Sequence, residues 1–112
     1  MKKIEAIIRP EKLDMIKHVL ADLGCAGMSI IEMKGQGNQK GASEVWGEKR
    51  FRVSLLPKAK VETVVNDDAV DNVVSTIINE IQTGSTGDGI IFVTSISEVY
   101  RIRTGEKGDS AV

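Results

Sequence analysis

Ile4-Glu5-Ala6-Ile7-Ile8-Arg9-Pro10-Glu11-Lys12-Leu13-Asp14-Met15-Ile16 and Val61-Glu62-Thr63-Val64-Val65-Asn66-Asp67-Asp68-Ala69-Val70-Asp71-Asn72-Val73 are the two stretches on which the fold turns. Laid over one another with Ile4 on Val61, they match Glu5 with Glu62, Ile7 with Val64, Leu13 with Val70, Asp14 with Asp71 and Ile16 with Val73. The same displacement carries Gly27 onto Gly84. This is an internal pseudo-repeat, each copy an apolar run followed by a helix-spaced stripe.

Working outward from the first copy, residues 3–9 begin with alternation and become wholly apolar, as in a strand buried on at least one face. Pro10 opens a helix over 11–23, striped by Leu13, Ile16, Val19, Leu20 and Leu23, and Gly24 stands where a C-terminal cap belongs. Residues 29–34 read as a second strand. In the second copy 61–65 is a strand, Asn66 or Asp67 the N-cap, and Val70, Val73, Val74, Ile77, Ile78 and Ile81 the helical stripe. Residues 90–93 close it as a strand, followed by a short segment carrying Ile96, Val99, Tyr100 and Ile102 and a polar tail.

Between the copies, 35–50 reads as a long polar loop, with regular structure returning at 51–56 before Pro57. The order β-α-β, loop, β-α-β predicts an α+β, ferredoxin-like domain over 1–112, a four-stranded antiparallel sheet with both helices on one face. The other face is left aliphatic and uncovered, which favours subunit association.

The 112 residues suit one compact domain. Fifteen Lys and Arg against sixteen Asp and Glu give a formal charge of −1, so no global basic field attracts nucleic acid or an anionic membrane. Any anion site is local. A single cysteine, Cys25, excludes an internal disulfide or Cys-based zinc cluster and fits a reducing, cytoplasmic setting. The apolar run stopped by Arg9-Pro10 is too short for an export signal, and no stretch approaches a membrane span.

Several local patterns suit a phosphorylated small molecule. Gly35-x-Gly37-x-x-x-Gly41 lets backbone amides approach a ligand, though such a pattern is equally a hairpin base. Gly87-Asp88-Gly89 reads as an anion-binding turn or a plain one. Arg101 and Arg103 flank Ile102, so in an extended segment both guanidiniums project on one side and suit polyphosphate, or simply form a solvated edge. Lys58 and Lys60 add cations. His18 and Cys25 lack partners at metal-ligand spacing and read as structural. No catalytic triad, His-x-x-x-His helix or P-loop is present, so an enzyme is not expected.

Taken together, residues 1–10 with Lys12-Leu13-Asp14, Lys34-Gly35-x-Gly37-x-Gln39-Lys40-Gly41, Leu56-Pro57-Lys58-x-Lys60, Thr83-Gly84-x-x-Gly87-Asp88-Gly89 and Arg101-Ile102-Arg103-Thr104-Gly105-Glu106 resemble the PII signal-transduction proteins of nitrogen metabolism. The resemblance implies a ferredoxin-like homotrimer with a long protruding T-loop, here about 37–55, and with ATP and ADP competing for three clefts between subunits. Adenine and ribose would meet Ile7, Gly27, Met28, Ser29, Glu62, Thr63 and Val64. Phosphates would meet Gly35, Gly37, Gln39, the Gly87-Asp88-Gly89 turn, Arg101 and Arg103. It further implies 2-oxoglutarate bound through a Mg²⁺ ion touching Gln39, its carboxylates received by Lys58 and the backbone of Gly37, Asn38, Gln39, Lys40 and Gly41. The ligand state then selects the loop conformation that docks on an ammonium transporter or a nitrogen-assimilation enzyme or regulator, with Val45 and Trp46 as apolar anchors.

The chain departs from the family's usual residues at four places. Phe51 replaces the tyrosine that many members have uridylylated, and Lys49 a serine modified in some, leaving Ser43 and Ser54 as nearby loop hydroxyls. Asn38 and Ile90 replace an arginine and a lysine at the phosphate end. Each such charge-assisted contact is worth about 1.5–3 kcal/mol. These losses motivate a second reading, a PII-like sensor answering another small anion such as bicarbonate. An acylphosphatase-like hydrolase and a purely structural trimer are remoter ones. The tail, 107–112, is expected to order only beside an occupied cleft.

Overall fold

The computed structural model describes residues 1–25, 27–35 and 56–112, and the backbone of 43–46 and 49–52. β1 (Lys2–Ile8), α1 (Leu13–Asp22) and β2 (Ser29–Gly35) form the first unit; β5 (Leu56–Val65), α2 (Val70–Ile81) and β6 (Gly89–Ser95) form the second. β1, β2, β5 and β6 make one antiparallel sheet in the order β2-β5-β1-β6, the ferredoxin-like arrangement. The repeat's sister strands β1 and β5 lie side by side at its centre, with Glu5 directly opposite Glu62.

Strand alternation decides which face is covered. Ile4, Ala6 and Ile8 of β1 and Ala59, Val61, Thr63 and Val65 of β5 are buried, and Ile16 and Leu20 of α1 with Val73, Ile77 and Ile81 of α2 close over them. Each fully buried aliphatic contributes roughly 1.5–3 kcal/mol. Ile31, Ile90 and Phe92 stay about half exposed, so apolar surface remains outside this core. The face away from the helices is mixed and not aliphatic throughout as expected: at its centre Lys3 pairs with Glu5 at 2.9 Å and Lys60 with Glu62 at 3.1 Å. The pairing lowers the Glu5 carboxyl and raises the Lys3 ammonium, the hydrogen bond between them being the first cause in both.

Both helices begin through a 3-10 turn, Pro10–Lys12 and Asp67–Ala69, so α1 starts at Leu13 and not at residue 11. Pro10 sets φ without sacrificing a helical donor. No side-chain cap forms at Asn66, and Asp67 instead accepts the Met1 ammonium at 2.7 Å. α1 ends as the glycine predicts: Gly24 takes φ +82°, its amide donates to the Ala21 carbonyl, and the Cys25 amide to that of Leu20.

Three further expectations are corrected. β5 begins at Leu56, five residues before the predicted start, and contains Pro57. Pro57 opposes Lys34 of β2 but lies beyond the end of β1, whose last partner is Ala59, so its missing amide breaks no pairing on that side. The segment read as a polar loop contains a hairpin, β3 (Ser43–Trp46) against β4 (Lys49–Arg52), which pairs outside the main sheet. Arg101 and Arg103 do not share an extended segment. Ile102–Thr104 turn back on themselves, the Arg101 amide donating to the Glu106 carbonyl and the Gly105 amide to that of Arg101.

Residues 108–111 form a 3-10 turn, anchored by the Gly108 amide on the Val99 carbonyl and by Arg101 Nη2 on the Ala111 carbonyl at 3.4 Å.

Candidate functional site

The chain leaves α1, turns at Gly24 and crosses to β2 beside the end of β5, which sets a strand edge against a backbone-rich corner. Between them lies a cleft of about 870 Å³. Gly27, Met28 and Ser29 form one wall, Glu62, Thr63 and Val64 the other, and Lys3, Asn66 and Asp68 the end nearest α2. Arg101 enters from the C-terminal segment, with Ala111 and Val112 beside it. The buried Thr63 hydroxyl donates to the Gly27 carbonyl at 2.7 Å, pinning wall to wall. Cys25 also lines the cleft, but burial raises its thiol pKa and keeps the reactive thiolate scarce.

A second group gathers at the opposite end of the strands. A methyl added to Gly35 would come 3.3 Å from Lys58 Cγ, and Lys58 Nζ donates to the Gly87 carbonyl at 3.5 Å. Gly89 takes φ +121°, and any side chain there would collide with the Ile7 carbonyl. Ile7, Gly35, Lys58, Gly87 and Gly89 are thus neighbours of one another and not lining residues of the cleft.

Asp88 serves the chain. Its Oδ1 accepts from Arg9 Nη1 at 2.8 Å and from the Thr83 hydroxyl, and its Oδ2 from the Thr83 and Gly84 amides at 2.8 and 2.9 Å. The Thr83 hydroxyl first, then its amide and the remaining donors, hold the carboxyl down to about 2.

A family model described as Nitrogen regulatory protein P-II matches residues 1–106. The chain belongs to this family. It is similar to Nitrogen regulatory protein P-II 2 of Methanothermobacter thermautotrophicus, 53% identical over 112 residues, covering all of this chain and 97% of that one. It is 52% identical over both full lengths to Nitrogen regulatory protein P-II of Klebsiella oxytoca and to Nitrogen regulatory protein P-II 1 of Escherichia coli K12.

Of the residues that the P-II resemblance assigns to a ligand, the cleft therefore gathers Gly27, Met28, Ser29, Glu62, Thr63, Val64 and Arg101, and the opposite end gathers Ile7, Gly35, Lys58, Gly87, Asp88 and Gly89. Arg103 lies in neither group. Gly37, Asn38, Gln39, Lys40 and Gly41 lie outside the described residues, as do the side chains of Ser43, Val45, Trp46, Phe51 and Ser54. Among the described residues no three His, Cys, Asp or Glu converge as a metal site, and no helix is long and apolar enough to cross a membrane. Sequence reasoning missed Lys3, Asn66 and Asp68 as lining residues and Arg9 and Thr83 as partners of Asp88. For Lys3 the clue was its place opposite Val64 in the neighbouring strand, and for Asn66 and Asp68 it was that they follow 62–65 directly in the chain; for Arg9 no periodic signal existed.

Proposed function

We propose that this P-II family chain is a signalling protein of nitrogen regulation that senses adenine nucleotides, and that its long central loop carries the output. The observation that bears most weight is the cleft, where six of the seven residues assigned to adenine and ribose, all but Ile7, meet Arg101 in one space of about 870 Å³. An adenosine monophosphate unit fits that size class. The phosphate-side residues sit at the far end of the same sheet. We read the complete site as formed where the cleft of one copy meets the Gly35 and Gly87–Gly89 end of another, in a homotrimer joined through the uncovered sheet faces.

In this reading ATP and ADP compete, and backbone amides with Arg101 and Arg103 take the phosphates. A Mg²⁺ ion would be held chiefly by the phosphates, by 2-oxoglutarate and by Gln39, oxygen donors that suit a hard cation. Nucleotide and 2-oxoglutarate shift loop states only through differential affinity, typically worth 1–3 kcal/mol. The partner is a nitrogen-assimilation enzyme, regulator or ammonium transporter met in the cytoplasm. The whole chain acts as one domain, without catalysis of its own. Phe51 has no hydroxyl to esterify, so incubation with a uridylyltransferase leaves the mass of its peptide unchanged.

Calorimetry with ATP, ADP and AMP, with and without Mg²⁺ and 2-oxoglutarate, tests the proposal. Saturable heat from ATP or ADP on a trimer is the expected result, and a monomer indifferent to all three sinks it. One observation favours a second reading. Ile90, half exposed beside Gly89, puts an alkyl group where the family usually has a cation. A loop that ignores 2-oxoglutarate but responds to another small anion, such as bicarbonate, would support that version.

A further inference from the structure

The corner from α2 to β6 contains a carboxylate at the heart of a region read as anion-binding, where a negative charge is out of place. Ionised Asp accepts hydrogen bonds but cannot donate them, so it has nothing to offer a phosphate. Its four lone-pair directions are also taken, by Arg9 Nη1, the Thr83 hydroxyl and the Thr83 and Gly84 amides. Arg9 reaches further, donating from Nη2 to the Thr86 carbonyl at 2.7 Å. By contrast, the Thr86 and Gly87 amides donate to no acceptor among the described residues, whereas those of Thr83, Gly84 and Ser85 all do.

We propose that Asp88 touches no ligand and that, clipped by Arg9, it holds residues 83–88 in the shape that leaves the Thr86 and Gly87 amides for an anion. Asp88 and Arg9 are positioning residues, and the inference rests on the nucleotide reading of the site. Arg9 has a double task. It ties the corner to the end of β1, and it neutralises a carboxylate that would otherwise repel a polyphosphate. The low carboxyl pKa agrees with a charge stabilised on every side.

The test compares wild type, Asp88→Ala, Arg9→Met and the double variant in the full chain, with ATP and adenosine as probes. Each single variant should weaken ATP roughly tenfold or more while adenosine is unchanged. The double variant should be no weaker than the worse single one, because the pair acts as a unit. Asp88→Ala binding ATP like wild type, or losing ATP and adenosine alike, overturns the proposal. Amide hydrogen exchange without ligand gives an independent readout. In Asp88→Ala the Thr83 and Gly84 amides should exchange roughly tenfold faster or more while interior α2 amides keep their protection. Unchanged exchange overturns the inference even if nucleotide binds. A wild type that ignores both probes, with the exchange effect present, overturns the nucleotide reading and leaves Asp88 holding the corner.

Discussion

The two helix-to-strand corners are sisters by sequence and opposites in structure. After α1 the chain passes Gly24 and Gly27 and borders an open cleft, tied to β5 by the Thr63 hydroxyl on the Gly27 carbonyl. After α2 it is drawn closed around Asp88, with Arg9, Thr83 and Gly84 as donors. The repeat that carries Ile4 onto Val61 carries Arg9 onto Asn66, each the residue that leaves a central strand. At that position a long cation reaches across and closes its corner, whereas the short amide lines a cleft. One side chain after a strand thus separates a pocket from a clasp, while the core layers of the halves stay equivalent: Ile16 and Val73 are both buried.

The largest break in that comparison is expected at the closed corner. Gly89→Ala puts a methyl against the Ile7 carbonyl and 3.2 Å from Ile8 Cα at φ +121°, so β6 must shift from β1. A loss of about 3 kcal/mol or more follows, since positive φ and backbone collision act together. Urea denaturation measures it, and a midpoint equal to wild type would mean the strands are not this close. Next comes Thr63→Val, at the open corner's tie. The isosteric change leaves the Gly27 carbonyl without its donor and costs roughly 1–2 kcal/mol. No change would show that water replaces the hydroxyl freely.

How far each corner was legible follows from the range of the forces that shape it. The strand and helix of each half announce themselves through neighbours two to four residues apart, as does Gly24, and these readings hold. Pro57 misled because a proline interrupts a strand only where its amide faces a partner, which depends on where β1 ends. Arg101 and Arg103 misled because alternation implies a shared side only in extended chain, and a turn held by the Glu106 carbonyl removes that condition. The walls of the cleft were named by resemblance alone; composition offers no reason why Gly27 should face Thr63. The clip from Arg9 to Asp88 spans 79 positions, far beyond any local pattern.

A third prediction separates the corners by acid. The Asp88 carboxyl sits at about 2 in the fold against 3.8 ordinarily. Between those values the unfolded chain binds more protons than the folded one, so stability rises with pH across that window. The contribution of Asp88 is therefore complete above about pH 4 and drains away as pH falls toward 2. Asp88→Asn should flatten that part of the stability profile in urea titrations. If the two profiles fall in parallel, the carboxylate is not held as the hydrogen bonds indicate.

The smallest expected effect sharpens the comparison most, because it asks the open corner to tolerate what the closed one refuses. A methyl built on Gly27 meets nothing among the described residues within 4 Å. Its φ lies outside the left-handed range, so alanine needs no strained backbone, and loss of glycine's freedom in the unfolded chain offsets minor repacking. Gly27→Ala should leave stability within about 0.5 kcal/mol of wild type. Any penalty should appear in the affinity for an adenine nucleotide, because the new methyl projects from a cleft wall. A destabilisation approaching that of Gly89→Ala would mean that the first corner is as tightly closed as the second, and that the space between Gly27 and Glu62 is not available to a ligand.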